Sequence, residues 1–81
     1  MLFEFKESSI LYFHMTSVLF PLDIIFFNDK NEYIVHYEMP VIKDNIIVLY
    51  NSILRSNRAL ELKSGFVKRH LDLTESIILY R

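Results

Sequence analysis

Residues 20–35 read FPLDIIFFNDKNEYIV: a Pro-Leu-Asp opening, an apolar run, a polar tip and a second apolar run. Strand alternation places Leu22, Ile24 and Phe26 on one face of a strand Leu22–Phe27 and Asp23, Ile25 and Phe27 on the other. Asn28-Asp29-Lys30-Asn31 then joins it to a strand Glu32–Met39, because Asn and Asp tolerate the backbone conformations of a tight turn even without Gly. In that second strand Tyr33, Val35 and Tyr37 read as core-facing, and Glu32, Ile34, His36 and Glu38 as half solvated. The open question is Asp23. Beside Pro21 at a strand entrance, its carboxylate would either position a ligand or accept backbone hydrogen bonds from the Thr16–Phe20 loop and hold that turn. If buried, it must be paired.

Working outward, Leu2–Lys6 reads as a strand, Glu7-Ser8-Ser9 as a turn and Ile10–Met15 as a further strand. Beyond Pro40, Lys43-Asp44-Asn45 forms a polar tip, and Ile46–Tyr50 is so uniformly apolar that a strand covered on both faces is expected. Asn51–Asn57 reads as a loop or a helical turn and Ala59–Lys63 as a strand with Leu60 and Leu62 inward. A short helix over Gly65–Leu71 follows, with Ser64 as its cap and Lys68, Arg69 and His70 at the end that favours positive charge. Ser76–Tyr80 is the last expected strand. The pattern predicts an α+β domain: a strongly bent, mainly antiparallel sheet or partly closed small barrel of six to seven strands, with one short helix.

Composition limits the possibilities further. A chain of 81 residues makes one domain, and a domain of this size buries only about 60 % of the surface its unfolded form exposes. It has no cysteine for disulfides, so stability must come from apolar content, and 52 % hydrophobic residues with seven Phe and five Tyr supply a surplus. Nine Lys and Arg against ten Asp and Glu give no basic face for nucleic acid. The lack of cysteine fits a reducing compartment, and Met1–Ser9 has no basic start or small-residue cleavage site of a signal peptide. Residues 10–27 reach membrane-spanning length, but His14, Thr16, Ser17, Pro21 and Asp23 interrupt them, so no membrane span is expected.

PLDIIFFNDKNEYIVHYEMP (21–40), followed by RALELKSGFVKRHLDL (58–73), resembles the bacterial and archaeal family DUF192. Its members commonly carry Phe-Trp-Met-Lys-Asn-Thr, then Pro-Leu-Asp-[Ile/Val]-x-Phe, a hairpin, a valine-rich strand ending at proline, and later Leu-Glu-Leu, a small residue, Gly-Phe and a short helix. The likeness runs from about residue 1 to residue 76 and implies a compact β-rich α+β fold, without a known biochemical role. Phe13 and Met15 are retained, but His14, Thr16 and Ser17 stand where the family's tryptophan, lysine and asparagine are usual. Met1–Phe5 resembles the family's Met-Leu-Phe-x-Phe strand, so the expectation is a single domain over residues 1–81 without the strand and helix that usually come first. The family's Gly-Asp after the helix is missing, and Asp72 stands where a helix-ending Gly is usual; Asp tolerates the left-handed conformation of that position.

Candidate chemistry is sparse. His14, His36 and His70 fall on separate elements and do not suggest a metal site; there is no nucleophile elbow and no phosphate-cradling loop, and nothing implies a cofactor. A pair of carboxylates for glycosidic chemistry would have to come from Asp23, Glu32, Glu38 or Glu61, and no two are singled out. Strands as apolar as 45–50 and 76–80 are hazardous if exposed. The leading expectation is a non-catalytic binding or structural subunit of a larger assembly, in the cytoplasm or a phage particle, with a protein partner or second copy covering exposed strand edges. The alternative is a small-ligand-binding or enzymatic module using His14, Thr16, Ser17 and Asp23, with Pro21, Asp23, Ser64, Gly65 and Asp72 as turn and cap residues.

Overall fold

A computed structural model describes residues 1–70. In these, β1 (Leu2–Ser9), β2 (Tyr12–Phe13), β3 (Leu22–Phe27), β4 (Tyr33–Met39), β5 (Tyr50–Asn51) and β6 (Ser56–Lys63) precede a single helix, α1 (Phe66–His70). The strands form two antiparallel sheets, one of four strands in the order β1-β6-β3-β4 and a ribbon of β2 and β5. The chain is therefore a mostly antiparallel α+β fold. The sheets do not close into a barrel among the described residues. No helix among them is long and apolar enough to cross a membrane.

The reason that Leu22–Phe27 decides the fold is its central place. β3 pairs with β6 on one side and β4 on the other, and all six of its residues are buried. Its two faces feed two cores, as the alternation requires. Leu22, Ile24 and Phe26 join Met15, Met39 and Ala59 beneath the ribbon, where Phe13 and Tyr50 cover them. Ile25 and Phe27 join Leu60 and Val67 beneath α1, with Tyr33, Val35 and Leu62 around them. Tyr37, expected on this core face, is 41 % exposed and lies under the Lys68 ammonium, 5.1 Å from its ring centre. On the other face His36 is half-buried, its ring edge-on to Phe26 and Tyr50.

The hairpin closes as its polar tip requires. Asn28 Oδ1 accepts the Lys30 and Glu32 amides, and Asn31 takes the left-handed conformation with φ 64°. The expected turn at Glu7-Ser8-Ser9 does not occur: β1 runs to Ser9, which pairs with Ser56, and β6 begins at Ser56 within the expected loop. Ile10–Met15 contracts to Tyr12–Phe13, with Leu11 tied instead to buried Ser52, whose Oγ accepts the Leu11 amide at 2.9 Å.

The largest departure concerns Ile46–Tyr50, expected as a strand covered on both faces. Only Tyr50 is in a strand, and Ile46, Ile47, Val48 and Leu49 are 65, 61, 50 and 59 % exposed. β-Branched residues form a strand only where a ladder partner accepts their backbone groups. Here the partner, β2, offers two residues, while left-handed Asp44 and Asn45 turn the preceding chain away. The expected helix residue Leu71, Asp72 and the strand Ser76–Tyr80 lie outside the described residues.

Candidate functional site

The Asp23 carboxylate is fully buried and accepts three backbone amides. Oδ1 takes the Glu38 amide at 2.7 Å and the Gly65 amide at 3.3 Å; Oδ2 takes the Val67 amide at 3.1 Å. Each donor exists because of a local feature. The β3–β4 register shifts between Leu22 opposite Met39 and Ile24 opposite His36, so β4 carries one extra residue there. Glu38 in this bulge has φ 51°, and its amide is free to turn to Asp23 instead of the ladder. Gly65 and Val67 lie at the start of α1, where the first amides have no partner within the helix.

Gly65 is the residue just before the helix and has no side chain to cap it. Asp23, reaching from β3, fills that role, with its negative charge at the helix end that favours it. The amide of Ser64, the cap expected from the sequence, donates to the Pro21 carbonyl at 3.3 Å, tying the end of β6 to the entrance of β3. Gly65 has φ +83°, and a Cβ there would lie 2.5 Å from Arg69 Nη1. Gly65→Ala is therefore expected to lose about 1–2 kcal/mol, mostly from the left-handed backbone, since the Arg69 side chain can swing aside. A urea titration showing wild-type stability would contradict this.

The other expected site residues lie apart from Asp23. His14 Nδ1 accepts the Thr16 amide at 3.3 Å in an exposed turn, and Ser17 is left-handed with φ 64°. Thr16 and Ser17 line a shallow cleft with Val18, Ile42, Asn45 and Ile47, and Asp23 is not part of it. Glu32 and Glu38 also do not pair for acid–base work: Glu32 Oε1 accepts from Asn28 Nδ2, and Glu38 meets Lys68 at 3.5 Å. The three histidines stay separate. His36 Nε2 donates to the Asn51 carbonyl at 2.8 Å, and His70 packs on Phe66 with ring centres 4.7 Å apart. Among the described residues, no three His, Cys, Asp or Glu side chains converge in a way that could hold a metal ion.

A polar cluster that sequence reasoning did not identify lies at the hairpin end. Asn28 Nδ2 donates to the Arg55 carbonyl, Arg58 pairs with Asp29, and Asn57 Nδ2 donates to Asp29 Oδ2. The guanidinium of Arg58 also lies 5.2 Å from the Phe27 ring centre. Its members come together across 27 or more residues, so no local spacing announced them. They are used on one another, as a clamp between the β3–β4 turn and the start of β6.

Fold and site together define a class: a small α+β domain with an antiparallel four-stranded sheet, a strand ribbon over one face, and a single-turn helix on the other capped by a buried carboxylate of the central strand. The chain belongs to the family DUF192, described as an uncharacterized ACR, whose family model it matches over residues 1–74. Comparison with curated proteins and with solved structures gives no match.

Proposed function

We propose that this chain is a non-catalytic, protein-binding or structural subunit of a larger assembly, a cellular complex or a phage particle. The observation that carries this reading is the run Ile46–Leu49, four successive large apolar residues each at least half exposed. Its base is continuous with an apolar cleft formed with Met15, Val41, Ile42 and Tyr50. Single exposed apolar residues are ordinary, whereas a contiguous exposed run marks a surface that another protein covers. The ribbon over the sheet is read as the wall of a partly closed barrel, with this loop at its open rim.

The alternative, a ligand-binding or enzymatic module built on His14, Thr16, Ser17 and Asp23, is less well supported. Asp23 is committed to three amides, and the turn that holds the other three is exposed. The test is native mass and co-purification from the source cells or virus, with wild type beside Ile47→Glu. Ile47 is a surface residue, so the variant is expected to keep its fold within about 0.5 kcal/mol while losing the larger species. An Ile47→Glu variant that keeps every co-purifying protein and every species larger than a dimer, or a solitary wild-type monomer, would overturn the reading.

A further inference from the structure

We propose that β1 is a homodimerisation edge, at which two copies of this chain join their four-stranded sheets by antiparallel pairing of β1 with itself, centred on Phe5. This names one partner within the subunit reading above and rests on it, but it uses a different surface and different observations.

The first observation is the open edge. Among the described residues β1 is an outermost strand of the sheet, in the order β1-β6-β3-β4. The other outer strand, β4, carries contacts on both faces: Lys68 of α1 pairs with Glu38 and lies over the Tyr37 ring, and His36 is tied to Asn51 of the ribbon. Among the described residues no strand lies on the outer side of β1, and Arg55 reaches it only at its end, donating to the Ser8 carbonyl; the register with β6 jumps from Glu4–Arg58 to Ser9–Ser56, so Phe5–Ser8 bulge out of register with β6. An uncovered strand edge is a template for another strand.

The second observation is charge complementarity written into β1. Its sequence is LFEFKESS. With Phe5 opposite Phe5 of the second copy, Glu4 falls opposite Lys6 and Lys6 opposite Glu4, giving two opposite-charge pairs. The hydrogen-bonding phase agrees. Met1 exchanges bonds with Glu61 in both directions, so Met1 and Phe3 direct their backbone groups to β6, and alternation directs those of Leu2 and Glu4 outward. Pairing requires β1 to run straight through its bulge at Phe5–Ser8; Glu4 and Lys6 then form the hydrogen-bonded pairs and Phe5 the closer, non-bonded pair at the two-fold axis.

The faces agree as well. Residues directly opposite in a ladder share a face. Phe3 packs on the core beneath the ribbon, and Phe3 and Phe5 line an apolar cleft with Ile10, Leu11 and Phe13. Phe5 is 47 % exposed at that cleft. Pairing places its ring against its own symmetry mate and extends the apolar surface across the axis, while Glu4 and Lys6 meet on the opposite, helix-bearing face.

The experiment is sedimentation equilibrium on the full chain over a concentration series, for wild type, Glu4→Lys, Lys6→Glu, and the double variant. Wild type is expected as a concentration-dependent dimer. Each single reversal creates two like-charge pairs and weakens the dimer by roughly tenfold or more, the double variant restores it, and an equimolar mixture of the two single variants forms a heterodimer. Circular dichroism confirms that the exposed substitutions leave the fold intact. A wild type that is monomeric throughout overturns the proposal. So does a dimer indifferent to the single reversals. If that indifferent dimer dissociates on Ile47→Glu, or if a monomer binds a different protein through the 46–49 loop, the subunit reading stands and only the β1 pairing fails.

Discussion

Replacing Asp23 with alanine is expected to destabilise the domain by about 3–5 kcal/mol, a large share of the margin available to a chain of this size. Three amides lose their acceptor, two of them in fully buried hydrogen bonds, and each buried donor left unsatisfied costs about 1–3 kcal/mol. A domain of this length has a total stability of about 4–12 kcal/mol, so the loss takes a quarter of it or more. Asp23→Asn keeps one carbonyl acceptor but turns an amide donor toward backbone N–H groups, and should lose about half as much. Urea denaturation followed by circular dichroism measures both. The outcome also separates the functional readings. If Asp23→Asn keeps wild-type stability, the carboxylate is not the structural link described here, and the ligand-binding reading regains its central residue.

Phe26→Ala is expected to lose about 3–5 kcal/mol by a different mechanism. The Phe26 ring is 1 % exposed in the core beneath the ribbon and meets the His36 ring edge-on at 6.0 Å. Its removal leaves a cavity between β3 and the ribbon that the rigid sheet side cannot fill, while the two-residue strands β2 and β5 have little pairing of their own to hold them in place. Thermal unfolding should show a fall in Tm of more than about 10 °C. The contrast with Ile47 is the useful part: both are large apolar side chains, yet truncating Ile47 should hardly alter Tm. A large Tm loss on truncating Ile47 would mean that the 46–49 loop belongs to the core rather than to an interface.

The central part of this architecture is legible in the sequence because local pattern and tertiary position agree there. LDIIFF is apolar on both faces, and β3 has sheet neighbours on both sides, a cover on each face and all six residues buried. The hairpin, the later strand through Leu60 and Leu62 and the short helix follow from turn chemistry and alternation. What misleads is Ile46–Tyr50, where composition describes burial that the strands among the described residues do not provide. Propensity reports what a segment would favour if partnered; it does not report whether a partner strand is long enough. The role of Asp23 was half legible. Its burial demanded partners, but those partners, Gly65 and Val67, lie more than 40 residues away and could not be named from sequence neighbours. The clamp of Asn28, Asp29, Arg55 and Arg58 was illegible for the same reason.

The capping of α1 by Asp23 also bears on the order in which the chain folds. The five described residues of α1 are too few for a helix to persist alone, because the nucleation cost is not repaid over a single turn. α1 also has no capping side chain at Gly65, and the carboxylate that replaces it arrives only after β3 and β6 are in register. Among the described elements the helix is thus expected to form last and open first, a latch on the finished sheet, with the slow step of folding expected in the long-range closure of β3 on β6.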